Sequence, residues 1–189
     1  MGRWEPDAPG RFRTAAMELF GEIGYEQTTV AAIAERAGLT ARTFFRNFAD
    51  KREVLFSGSE QLQASMVGAL ANAPGKATPI AAVAAALLAP VDFFTEDRRP
   101  FSRLRNTVIA ANGELLEREL IKLAKLSAAL AEGLRARGVA EPDASLAAEA
   151  GIAVFRVAFA QWVAESERRG YAQIVGESLA RLRKLAATP

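Results

Sequence analysis

Residues 24–55, GYEQTTVAAIAERAGLTARTFFRNFADKREVL, read as two short helices joined by a tight turn, followed at once by a third helix. Thr28-Thr29 precede a run that places Val30, Ile33, Ala34 and Ala37 on one face. Gly38 supplies the residue that can take positive φ and end that run. Thr40 is placed to cap the next helix, because its hydroxyl can accept from a free backbone N–H two or three residues on. That helix, about residues 41–47, carries Arg42, Thr43, Arg46 and Asn47, with Phe44, Phe45 and Phe48 as anchors. A short helix with polar and basic residues near its N-terminus, fixed by a turn to a preceding helix, suits a DNA major groove.

Composition narrows the rest. The chain has 189 residues, enough for one sizeable core or two small ones. Half of it is hydrophobic and much of that is alanine, which favours helices over sheets. It contains neither Cys nor His. Disulfides, thiolate or imidazole metal sites, and Ser-His-Asp or Cys-His catalysis are therefore excluded within one chain. Asp92, Glu96 and Asp97 have no nucleophile or metal site near them in sequence, and a solvated helix end explains them, so no enzyme and no cofactor is expected. The net charge is only +2. Between residues 36 and 52, however, Arg36, Arg42, Arg46, Lys51 and Arg52 face only Asp50, a local excess of four positive charges. No apolar run reaches the ~18 residues of a membrane span. The N-terminal MGRWEPDAPGR lacks a signal-peptide apolar region and reads as a disordered arm on a cytoplasmic protein.

The periodicity predicts about nine helices and an all-α fold. Phe12, Ala15, Ala16, Leu19, Phe20 and Ile23 give a helix over about 10–23. Asp50 to Glu53 has the spacing of a capping box and opens a helix running through Leu62 and Met66 to about Leu70. APGKATP, residues 73–79, reads as a linker. Thr78 and Pro79 then start a helix that Pro90 should kink or interrupt. Further helices are expected over about 100–110, from Leu116 to near Gly138, from Glu141 to about Glu167, and over 171–186. Residues 147–164 are apolar on nearly every side: Ile152, Phe155, Phe159 and Trp162 on one face, Val154, Val157 and Gln161 on another. A helix of that kind is buried on more than one face, and a bundle this small offers little room for both, so a partner subunit is expected.

The ordered set Arg11, Ala15-Ala16, Leu19-Phe20, Gly24-Tyr25, Thr28-Thr29-Val30, Ile33-Ala34, Ala37-Gly38, Thr43, Phe48, Lys51 and Leu55 resembles the N-terminal domain of the TetR family of transcriptional regulators. The resemblance covers roughly residues 9–69. It departs at Phe45, where the family usually has Tyr, whose hydroxyl typically bonds a phosphate, and at Asn47, where it often has His.

The resemblance implies a TetR-like fold, with an N-terminal helix-turn-helix DNA-binding domain over 9–69 (motif about 29–48) and a C-terminal effector-binding and dimerisation domain over 78–187. It further implies a homodimer through the last two helices that represses transcription at a palindromic operator and releases it on binding an effector. Thr29, Thr40, Ala41, Arg42, Thr43, Phe45, Arg46, Asn47 and Lys51 are the expected DNA-binding residues, Arg42 and Thr43 at base edges and Thr29, Arg46 and Lys51 at phosphates. The aromatic stripes suggest a pocket for a small apolar, aromatic or acyl effector. Its expected lining is Phe93, Phe94, Leu104, Phe155, Phe159 and Trp162, with Arg105 or Arg156 as polar anchor. The competing reading is a helical small-molecule carrier with a vestigial DNA-binding domain.

Overall fold

The computed structural model describes residues 7–187, and every regular element among them is helical. The order is α1 (Ala8–Glu22), α2 (Val30–Arg36), α3 (Ala41–Asn47), α4 (Lys51–Phe56), α5 (Ser59–Ala71), α6 (Pro79–Leu88), α7 (Arg99–Ala110), α8 (Gly113–Ala136), α9 (Asp143–Trp162) and α10 (Tyr171–Ala186). Two 3-10 turns, Val91–Phe93 and Glu96–Arg98, lie between α6 and α7.

Local chemistry explains most of the boundaries. Helix α1 starts two residues earlier than its apolar stripe suggests, because Asp7 accepts from Gly10 N at 3.0 Å and Pro9 tolerates the first turn. Residues 8–11 are therefore helical, while the rest of the expected N-terminal arm, residues 1–6, lies outside the described residues. The expected run over 50–70 is two helices, because Gly58 takes φ 93° and turns the chain between α4 and α5. That break raises the number of α-helices among the described residues to ten. Pro90 does not kink a continuing helix. Helix α6 stops at Leu88, and Phe94 sits in the irregular stretch that follows. Helix α9 ends at Trp162, short of the expected Glu167.

The chain forms two compact units. Of the described residues, one comprises those up to 57 and 104–116, the other 58–103 and those from 117 on, so the chain passes between units within α7 and within α8. These bounds differ from a division in the 73–79 linker: residues 58–69 belong with the second unit, and 104–116 return to the first. The first unit packs α1 to α4 around Phe12, Phe20, Ile33, Phe44 and Leu55, with Val108, Ile109 and Leu115 added. The second packs α5, α6, α8, α9 and α10 around Met66, Leu70, Leu87, Leu130, Trp162 and Ile174. No single helix among the described residues is long and apolar enough to cross a membrane.

The second core contains one crossing that tolerates no side chain. A Cβ built on Gly151 of α9 would lie 2.4 Å from Val83 Cγ1 on α6. Valine is stiff at χ1 and cannot swing aside. Gly151→Ala is therefore expected to destabilise the protein by ~1–3 kcal/mol of overpacking. Gly68 of α5 has nothing within 4 Å of its virtual Cβ, and Gly68→Ala should stabilise by ~0.5–1 kcal/mol. Denaturant unfolding of the two variants checks the opposite signs.

Candidate nucleic-acid interface

Helices α2 and α3 are fixed by three local devices. Thr29 caps α2 by accepting from Ala32 N at 3.1 Å. Gly38, at φ 64°, ends α2 in a turn where Gly38 N donates to Glu35 O and Leu39 N to Ala34 O, both at 2.9 Å. Thr40 caps α3 by accepting from Thr43 N at 3.1 Å, and the two threonine hydroxyls lie 3.0 Å apart. On the inner face of α3, Phe44 meets Phe12 edge-on at 5.1 Å between centroids, and Phe48 meets Phe44 at 5.4 Å. Arg11 of α1 donates to the Ala37 and Gly38 carbonyls, tying the turn to the first helix. The other face is left to solvent: Ala41, Arg42, Phe45, Arg46 and Asn47 are exposed, and Thr43 is half-buried.

Local charge is distributed less evenly than the sequence count implies. Arg36 is held by Glu22 at 2.7 Å and Glu18 at 3.3 Å, and its guanidinium holds the Glu22 carboxyl below the usual carboxylate range. Arg52 pairs with Asp50 at 2.6 Å and lies 3.8 Å from Glu114. Lys51 Nζ donates to the Tyr25, Thr28 and Glu26 carbonyls at 2.8, 3.0 and 3.3 Å, and sits 4.3 Å from the centroid of the Tyr25 ring. Burial pushes the Tyr25 hydroxyl up to about 12. Arg42 and Arg46 are the members of the basic cluster that reach solvent with no ion pair to any described residue. Asn47 turns its amide back to donate to Thr43 O at 2.7 Å.

Lys51 thus has a structural task where the sequence reading gave it a phosphate. It closes the α1–α2 loop onto the start of α4. Lys51→Ala is expected to cost ~1.5–3 kcal/mol of stability, the worth of bonds from a charged donor, and to leave the salt dependence of DNA binding unchanged. A salt slope reduced by about one in that variant would return Lys51 to the phosphate backbone.

Residues 13–57, which hold this assembly, match the profile of the bacterial regulatory proteins of the tetR family. Through this N-terminal segment the chain is similar to the tetR family of bacterial regulatory proteins. The HTH-type transcriptional regulator TcmR of Streptomyces glaucescens is 40% identical over 74 residues, 39% of this chain and 33% of that protein. MftR of Mycobacterium tuberculosis is 32% identical over 115 residues, 61% of this chain and 58% of that protein. The matches thus span a third and somewhat over half of these two relatives. Among solved structures, a transcriptional regulator from Aquifex aeolicus VF5 shares the fold at TM-score 0.61 and 17% identity, covering 94% of this chain and 98% of that one. SmeT, the repressor of the Stenotrophomonas maltophilia multidrug efflux pump SmeDEF, does so at TM-score 0.58 and 20% identity, over 94% and 89%.

In the second unit, Phe94, Phe155, Phe159 and Trp162 come together. Phe94 lies 6.0, 6.0 and 5.6 Å from the other three centroids and stacks on Tyr171 at 4.1 Å. Of the remaining expected pocket residues, Phe93 and Arg156 belong to the same unit. Leu104 and Arg105 belong to the first unit, where Arg105 Nε donates to Leu55 O at 2.7 Å. Arg156 is exposed to solvent, and Glu149, two turns earlier on α9, accepts from Ser127 at 2.7 Å. Phe93 makes none of the described ring contacts and has its ring edge 3.9 Å from the virtual Cβ of Gly58.

Two participants escaped the sequence reading. Tyr171 is buried at the start of α10, beyond the stripe that marked the other rings. Arg99, 6% exposed, lies 5.3 Å from the Trp162 ring and donates to the Glu167 and Arg169 carbonyls at 2.7 and 2.6 Å. The run of arginines from 98 to 105 was visible, but carbonyl partners almost seventy residues away were not. Trp162 Nε1 and Tyr171 Oη are buried with no hydrogen-bond partner among the described residues.

Proposed function

We propose that this chain is a sequence-specific DNA-binding transcriptional regulator, a ligand-responsive repressor that grips a palindromic operator as a two-fold dimer. The observation that carries the DNA reading is the exposed face of α3. Phe44 and Phe48 face the core, Thr40 and Gly38 fix the helix ends, and Arg42, Phe45 and Arg46 stand free on the opposite side. Arg42, in the first turn, suits a guanine edge, to which arginine bonds bidentately at O6 and N7. Thr29, Thr40, Ala41, Thr43, Arg46 and Asn47 line the same approach and serve register and backbone contact. Retardation of a duplex from upstream of the chain's own coding sequence, with an unrelated duplex as competitor, tests the reading. Equal affinity for the two duplexes would favour the carrier with a vestigial DNA-binding domain.

The effector reading rests on the aromatic cluster of the second unit. A buried donor without a partner costs ~1–3 kcal/mol, and the cluster holds two, on Trp162 and Tyr171. An aromatic or acyl ligand with one hydrogen-bond acceptor would relieve that cost. Such a ligand shifts operator affinity only by its differential affinity for the DNA-competent and DNA-incompetent states. Titration of an aromatic carbonyl compound against Trp162 fluorescence, in a Trp4→Phe background, tests this separately from DNA binding.

A further inference from the structure

Phe45 is 59% exposed on the face of α3 that also carries Arg42 and Arg46. At a spacing of three it is the neighbour of Arg42 on the helix surface, so a duplex engaged by Arg42 meets this ring as well. The ring is held rather than loose: it meets the buried Phe44 ring edge-on, 5.6 Å between centroids at 84°. Without a hydroxyl it has nothing to offer a phosphate, and pressed against one it would only strip water from a charge. Base edges in the major groove present donors, acceptors and one apolar group, the C5-methyl of thymine.

We propose that Phe45 reads a thymine C5-methyl group, so that one operator position is chosen by apolar contact rather than by a hydrogen bond. The proposal rests on DNA reading by α3 and adds a specificity determinant at the position where this chain lacks the tyrosine hydroxyl. Arg42 and Arg46 argue for nucleic acid over a protein partner, because neither has an ion pair among the described residues. The discrimination expected is about fourfold per contacted thymine, the worth of one buried methyl group.

The test uses the full chain and a duplex enriched by it from a randomised pool. Each thymine is replaced in turn by deoxyuridine, which removes the methyl and keeps the pairing. In the wild type, one position per half-site should lose about fourfold in affinity on replacement. Phe45→Ala should bind the thymine and uracil duplexes equally, with its helical circular dichroism unchanged because the ring is exposed. Neutral replacement at every position, or a uracil penalty that survives in Phe45→Ala, overturns the proposal. Failure to enrich any sequence overturns the DNA reading itself, so the two failures are told apart.

Discussion

Arg42→Ala should weaken operator binding by ~1–3 kcal/mol and relax the base preference at one position in each half-site. Arg42 stands in the first turn of α3, solvent-exposed and without an ion pair to any described residue. No ion pair among those residues has to break before it reaches a base edge. Arg46, one turn further along, is better placed for the backbone, and Arg46→Ala should weaken all duplexes alike while lowering the salt slope by about one. Arg36→Ala is the control: that side chain is bound to Glu18 and Glu22, and its loss should leave base preference untouched. Affinities measured across single-base operator variants separate the three behaviours. An Arg42→Ala protein that ranks those variants as the wild type does would displace α3 from the groove.

The contrast among these arginines shows which physics a sequence reveals. The caps at Thr40 and Thr78, and the glycine turn at Gly38, were legible because each satisfies a backbone group within a few residues. The break at Gly58 was hidden because Leu62, Met66 and Leu70 continue an acceptable stripe, and only the backbone angle shows the turn. The partners of the cations were hidden for a different reason. Arg36 reaches carboxylates 14 and 18 residues away, Lys51 carbonyls 23 to 26 away, and Arg99 carbonyls 68 and 70 away. A local count of charge could not tell these from Arg42 and Arg46. The expected pocket residues divide between the units, Leu104 and Arg105 in the first, and Arg156 is exposed, because helical spacing groups residues by angle, while membership of a compact unit and the neighbouring helix decide which angle is inward.

Val157→Glu should convert a dimer into a monomer and lower operator affinity by more than any single DNA-contact change. Helix α9 hides Ile152, Val154, Phe155 and Trp162 in the second core, so the expected second apolar face is narrower than the sequence suggested. What remains outside is a stripe of Leu146, Ala153, Val157 and Ala160, with Leu146 at 64% and Val157 at 51% exposure. On α10, Ala172, Gly176 and Ala180 are exposed in turn. Small residues on both helices let a second copy approach closely, and a two-fold axis brings like patches together. A stable association of this kind buries at least ~1,000 Å² in total. A carboxylate introduced there faces its own symmetry mate in a desolvated seam, a cost of several kcal/mol. Each monomer would then hold one half-site alone and lose the gain of simultaneous engagement, ~10²–10⁴-fold. Sedimentation equilibrium at micromolar concentration reads the first effect and operator titration the second. A wild type that sediments as a monomer would remove the dimer, and with it the palindrome.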